Sequence, residues 1–259
     1  MSMTANSSTR EATLPLAGKV AAITGASKGI GAATARLLAA QGATIVVGYK
    51  HGEERARKLL SELPGDGHIA AHLALEDAAS VRRFAAETEA VFGRADILVN
   101  SAGFTAPVKH ADLDALTDEL IDSMLISNVR GPFSVIRAFA PMLRASGAGV
   151  VVSVSSISGF TGSGSSIAYC ACKAALDTMT LSLARALGPD IRVMCVSPGA
   201  VDTDFLPGRD HAALEKIAAA TPLKRIVKPE DVADAVFACV MLKASTGGRI
   251  VVDGGRFLV

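Results

Sequence analysis

Val20-Ala21-Ala22-Ile23-Thr24-Gly25-Ala26-Ser27-Lys28-Gly29-Ile30-Gly31 reads as a short apolar strand that runs straight into a glycine turn, with the helical stretch Ala32 to Ala40 directly behind it. Glycines spaced Gly-x3-Gly-x-Gly let the backbone turn tightly and approach a pyrophosphate, whose charge is met by the helix N-terminus. Strand, glycine turn and helix in that order predict the opening unit of a dinucleotide-binding α/β domain.

Working outward, six further β-branched runs follow: Thr44 to Val47, Ile69 to Leu73, Asp96 to Asn100, Val150 to Val154, Ile191 to Val196 and Arg249 to Val252. Stretches of helical period separate them, at Ser80 to Phe92, Leu116 to Leu143, Ala174 to Leu187 and Asp231 to Leu242. Alternating strands and helices predict a seven-stranded parallel sheet with helices on both faces. Near-continuous apolar runs such as VVVSV and IRVMCV are what burial on both sides requires. No linker, composition shift or internal repeat divides the chain. The expectation is one doubly wound Rossmann-like domain over residues 15–259, preceded by a polar, disordered tail over residues 1–14. In such sheets ligands bind beyond the carboxyl ends of the strands.

Composition removes several classes of function. The 259 residues are 50% hydrophobic and 20% charged, enough for a large core, and a formal charge of +1 gives no field suited to nucleic acid or an anionic membrane. The longest uncharged stretch, Ala145 to Cys172, is half Gly, Ser and Thr, unlike a membrane-spanning helix. The N-terminal tail lacks the apolar run of a secretion signal, so a cytoplasmic location is expected. Cys170, Cys172, Cys195 and Cys239 are too scattered for a disulfide framework, and the five histidines show no ligand spacing. No metal site is expected.

The residues after the strands carry the chemistry. An NAD-binding chain places a carboxylate at the end of its second strand, on the adenosine ribose, but here the sequence is Gly48-Tyr49-Lys50. Lys50 and Lys28 would put two positive charges beside a 2′-phosphate, which favours NADP(H). Both lysines would equally suit a solvated surface, with Glu53 or Glu54 serving NAD(H), although those glutamates fit the first turn of the next helix. The fourth strand ends in Asn100-Ser101-Ala102-Gly103, a small-residue turn that lets backbone pass close to a ligand. Beyond the fifth strand, Tyr169 and Lys173 lie four apart and share a helical face. Lowering a tyrosine pKa from near 10 to about 7 takes roughly 4 kcal/mol of stabilisation of the phenolate, and a neighbouring ammonium has the right sign. Ser156, at the carboxyl end of a strand, could hydrogen-bond a substrate oxygen. The bland alternative is a Tyr and a Lys that merely pack on an ordinary helix.

Taken together, TGASKGIG from Thr24, NSAG from Asn100, Asn128 in SNVRG, Ser156, Tyr169 with Lys173, and SPGAVDT from Ser197 resemble the short-chain dehydrogenase/reductase family, in the family's order, from Leu16 to about Gly255. The resemblance implies hydride transfer between a nicotinamide and a carbonyl or alcohol carbon. Tyr169 would exchange a proton with the substrate oxygen, Ser156 would hold that oxygen, and Lys173 would bind the nicotinamide ribose. Asn128 would hold a water that links Lys173 to solvent. Gly25, Ser27, Lys28, Gly29, Ile30, Gly31, Tyr49 and Lys50 would take the adenosine and pyrophosphate, with Leu75, Asn100, Ala102 and Gly103 beside them. Pro198, Gly199, Val201 and Thr203 would contact the nicotinamide end.

By the same resemblance, residues 203–221 form a lid over the substrate, where Phe205 and Leu206 join Phe104, Ile157 and Phe160 in an apolar pocket; core packing is the competing role for each. Three departures stand out: Ala74 where many relatives carry an adenine-binding Asp, Ser101 in the fourth-strand turn, and a short segment from Leu242 to Arg249. TPLKRIVKPEDVADAV from Thr221 is similar to bacterial 3-oxoacyl-acyl-carrier-protein reductases. Arg185 matches one of their carrier-docking arginines, but Gly147 stands at the other, with Arg144 nearby. The helices Leu116 to Leu143 and Ala174 to Leu187 are more apolar than solvated helices need to be, and by the same resemblance they form the interface of a homodimer or homotetramer. Expected substrates are thus small carbonyl compounds or acyl thioesters. Sugars, polyols and steroids are alternatives, as is a nucleotide-binding regulator without turnover.

Overall fold

The computed structural model describes residues 14–208 and 210–259. The expected tail lies outside the described residues except for Leu14.

The elements run β1 (Val20–Thr24), α1 (Gly29–Ala40), β2 (Thr44–Tyr49), α2 (Glu53–Glu62), β3 (Ile69–His72), α3 (Ala78–Phe92), β4 (Ile97–Asn100) and α4 (Asp118–Leu125). A π-helical turn (Ile126–Arg130) leads into α5 (Gly131–Ala145), β5 (Gly149–Val154), α6 (Ser158–Thr161), α7 (Ile167–Leu187) and β6 (Ile191–Pro198). Then come α8 (His211–Ala219), α9 (Pro229–Met241), β7 (Arg249–Val252) and a 3-10 turn (Arg256–Leu258).

All seven strands are parallel, in the order β3-β2-β1-β4-β5-β6-β7. Chain direction across the sheet reverses between β1 and β4, and that switch point opens the crevice in which a ligand can lie. Successive strand residues face opposite layers. Ala21, Ile23, Ile45 and Val47 pack with Leu38, Leu59 and Val236 of α1, α2 and α9. Ala22, Val46, Leu98 and Val151 pack with Phe84 of α3 and Val135 and Phe139 of α5. The result is a single α/β domain, its core split into two layers by the sheet.

The expected helix from Leu116 to Leu143 is broken. It begins at Asp118, where Thr117 Oγ1 accepts from Leu120 N at 3.3 Å, and it widens into the π turn before α5. Pro132 explains the break, because it has no N–H to offer the carbonyl of Asn128 four residues back. Gly131 N instead reaches the carbonyl of Ile126 across five residues. Such single π turns occur frequently at functional sites. A smaller difference concerns β4, which starts at Ile97: the Asp96 carboxylate accepts from Val20 N at 3.0 Å and pairs with Lys19 and Arg94 below the sheet.

Candidate active site

The carboxyl ends of β1, β4, β5 and β6 open into one cleft of about 1440 Å³. Its first wall is the glycine turn. Gly25 has φ +65°, and a Cβ there would meet the Cα of Ala102 at 2.8 Å; at Gly31 it would meet the carbonyl oxygen of Gly25 at 2.6 Å. Thr24 Oγ1 accepts from Ser101 N at 3.1 Å and Ala102 N at 3.0 Å, tying the turn after β4 to the turn after β1. No side chain fits at Gly25 or Gly31, so the turn stays packed on its neighbours with its backbone on the cleft, and these residues fit a dinucleotide pyrophosphate.

The second wall is α7. Ser166 caps it by accepting from Tyr169 N at 3.2 Å, which sets Tyr169 and Lys173 on the first two turns, facing the cleft. Both are buried. The Lys173 ammonium lies 5.6 Å from the centre of the Tyr169 ring and donates to the Val154 carbonyl at 2.9 Å. Burial lowers the Lys173 pKa from 10.5 to about 8, with the nearby Cys172 and Asp177 acting against that fall. Ser156, just past β5, accepts from Ser158 N at 3.1 Å and holds its Oγ 3.5 Å from the Pro198 carbonyl, leaving it on the cleft wall with Tyr169. Asp177, one turn beyond Lys173, pairs with Arg249 at 2.7 Å, and burial pushes its carboxyl upward despite that partner.

Asn128 sits in the π turn, behind the cleft. Its Nδ2 donates to the carbonyls of Phe104 at 2.8 Å and Met124 at 2.9 Å, and its Oδ1 accepts from Phe104 N at 3.4 Å. The side chain therefore fixes the loop after β4.

Most residues singled out in the sequence line the one cleft. Gly25, Ser27, Lys28, Gly29, Ile30 and Gly31 do so at one end, with Lys50 and Leu75 beside them and Ala102 and Gly103 across from them. Pro198, Gly199, Val201 and Thr203 line it beyond Ser156, Tyr169 and Lys173, as do Ile157, Phe205 and Leu206. The Phe205 ring lies 6.0 Å from that of Tyr169.

Four residues stand apart from this lining. Tyr49 packs edge-on against His72, with ring centres 5.9 Å apart. Asn100 is buried in β4 between Thr24 and Ser153. Asn128 has been placed above. Phe160 packs against Phe257 at 5.7 Å and beneath the Arg249 guanidinium at 4.6 Å, so that Phe257 lines the cleft in its stead.

The charges differ from expectation too. Lys50 pairs with Glu76, and Glu53 is held by Arg57 at 2.6 Å, off the cleft. Sequence reading missed Arg55, Glu76, Arg256 and Phe257 as lining residues. Each reaches the cleft from a neighbouring loop or helix start, and no motif in the sequence marked any of them. Among the described residues no group of three or more His, Cys, Asp or Glu could hold a metal ion, and no helix is long and apolar enough to cross a membrane.

With this geometry in place, the relatives speak to the same chemistry. The family model described as enoyl-(acyl carrier protein) reductase matches residues 25–256. The chain belongs to the short-chain dehydrogenase/reductase family and is an oxidoreductase.

It is 39% identical, over 93% of its length and 96% of the relative's, to a Streptomyces violaceoruber protein named as a ketoacyl reductase of the granaticin polyketide synthase. To the 3-oxoacyl-[acyl-carrier-protein] reductase of Thermotoga maritima it is 34% identical, over 93% and 98% of the two chains. A Burkholderia cenocepacia short-chain dehydrogenase, solved in complex with NADP, superposes with a TM-score of 0.85 at 35% identity, over 93% and 98% of the chains.

Proposed function

We propose that this oxidoreductase reduces carbonyl compounds with NADPH, 3-oxoacyl thioesters being the substrate class, and runs the reverse oxidation of the alcohol when NADP is in excess. Reduced nicotinamide, when bound, supplies the hydride that reaches the carbonyl carbon. Tyr169 gives its hydroxyl proton to the carbonyl oxygen, while Ser156 Oγ donates a hydrogen bond to that oxygen and polarises it. Lys173, fixed by the Val154 carbonyl, stabilises the phenolate left behind and binds the nicotinamide ribose. Asn128 holds the loop after β4 and, through a water, would connect Lys173 to solvent.

The observation that carries this reading is the buried Lys173 ammonium 5.6 Å from the Tyr169 ring, on one cleft wall with Ser156. The ketoacyl and 3-oxoacyl reductase names of two relatives support the substrate class. The NADP-bound neighbour, together with the absence of Glu53 and Glu54 from the cleft lining, supports the cofactor. Residues 203–221 would act as the lid, carrying Phe205 and Leu206. Exposed Leu125, Phe133 and Leu181 on α4, α5 and α7 would join copies into a dimer or tetramer. The setting is cytoplasmic.

A second reading draws on the hydroxyls that line the same cleft, where Thr105 and Ser165 share a hydrogen bond at 2.5 Å beside Thr161 and Ser163. They suit a sugar or polyol, and a relative from Azotobacter vinelandii is named L-rhamnose 1-dehydrogenase. NADPH and NADH consumption with an acetoacetyl thioester, a ketone panel and a sugar panel separates the two. Fastest turnover of the thioester with NADPH is expected. Faster turnover of sugars selects the second reading, and tight nucleotide binding with no turnover at all points to a regulator.

A further inference from the structure

Gly52, between β2 and α2, is buried and has an ordinary φ of −123°, so no backbone strain marks this position. A Cβ there would stand 2.8 Å from Nη2 of Arg55 and 2.9 Å from Oγ of Ser27. A guanidinium and a hydroxyl, from α2 and from the glycine turn, therefore converge on one point, and both line the cleft, as does Lys28.

Three acids around α2 already have partners. Glu53 is held by Arg57, Glu62 by Arg36, and Glu76 by Lys50, leaving Arg55 without an ion pair among the described residues. A planar guanidinium beside a hydroxyl suits a phosphate, which accepts two parallel N–H bonds and a third from the hydroxyl. Lys50 is differently placed, since its charge is already answered by Glu76, whose carboxyl it helps hold below the usual range.

We infer that Arg55, with Ser27 and Lys28, is the determinant that recognises the 2′-phosphate of the cofactor, and that Lys50, neutralised by Glu76, is not. The inference rests on the NADP(H) reading above and deepens it. Arg55 is exposed at the start of α2, so its replacement leaves the fold intact.

Calorimetric titration of the full chain with 2′,5′-ADP and with 5′-AMP tests this without turnover. The wild type should bind 2′,5′-ADP more tightly. Arg55→Ala should lose about tenfold or more of that affinity, the size of a charge-assisted hydrogen bond, with 5′-AMP unchanged. Lys50→Ala should shift it less than about twofold, as for an exposed pair, and Glu76→Gln, which frees Lys50, should leave it equal or tighter. A loss in Lys50→Ala equal to or larger than that in Arg55→Ala overturns the inference and leaves the NADP(H) reading standing. Equal affinity of the wild type for the two nucleotides overturns the NADP(H) reading itself.

Discussion

The Lys173 ammonium, 5.6 Å from the centre of the Tyr169 ring, is anchored on the far side by the Val154 carbonyl at 2.9 Å. One end of the β5 ladder therefore fixes where the positive charge sits relative to the phenol one helical turn away. Val154 pairs with Val196 in β6, so the anchor belongs to the rigid centre of the sheet and not to a loop.

Tyr169→Phe removes the hydroxyl and keeps the ring against Phe205. The rate of reduction should fall by about 10²- to 10⁴-fold, the usual worth of a positioned acid. Nucleotide affinity, measured by fluorescence titration, should change less than about twofold, because a single lost hydroxyl leaves the glycine cradle intact. A variant with wild-type turnover would remove Tyr169 from the proton transfer.

Lys173 makes stability depend on pH. Its pKa drops from 10.5 in the unfolded chain to about 8 on folding, so between those values the unfolded state holds the extra proton and stability rises with pH. Below pH 8 the whole penalty is present, on the order of 3 kcal/mol. Lys173→Met should therefore melt no lower than the wild type at pH 7, lose the rise between pH 8 and 10, and turn over at least about a hundredfold more slowly. Calorimetry at pH 7 and 9.5 reads this, and a variant that melts ten degrees lower contradicts it.

The sheet was legible because strands buried on both faces must be apolar at nearly every position. β1, buried at every residue, begins and ends where the sequence placed it. The catalytic pairing was legible as well, since four-residue spacing on a helix is a local matter. What the sequence hid depends on partners distant in the chain. Periodicity carried the helix through residue 130, whereas Pro132 and the Asn128 amide decide the π turn. Lys50 looked free until β3 delivered Glu76 beside it, and Phe160 looked like pocket until β7 and the final turn placed Arg249 and Phe257 against it. Arg55 became visible only through the space that Gly52 leaves.

All four cysteines are buried, and burial raises each thiol, Cys195 and Cys239 to about 11. At pH 8 about one molecule in a thousand then carries a thiolate at either of those two positions. A disulfide reagent should label none of the four rapidly in the folded protein and all four after denaturation. Rapid labelling of the native chain, located by mass spectrometry, would show that the surrounding helices open.

Arg249 joins two parts of the molecule, pairing with the buried Asp177 at 2.7 Å and covering Phe160 at 4.6 Å. Arg249→Met keeps the apolar stem but strands a carboxylate that is 7% exposed, and should cost about 2 to 4 kcal/mol at pH 7. Burial already raises the Asp177 pKa, so the folded state holds the extra proton just above 3.8. Stability must then fall as pH rises through that window. Arg249 opposes that rise, so its removal lifts the carboxyl further, and the variant should be closer to the wild type at pH 5 than at pH 7 in urea unfolding. Replacing both partners, Arg249→Met with Asp177→Leu, should recover most of the loss, since an apolar pair of similar volume leaves no buried charge. If the single variant unfolds with the wild type at both pH values, the ion pair does not hold α7 to β7.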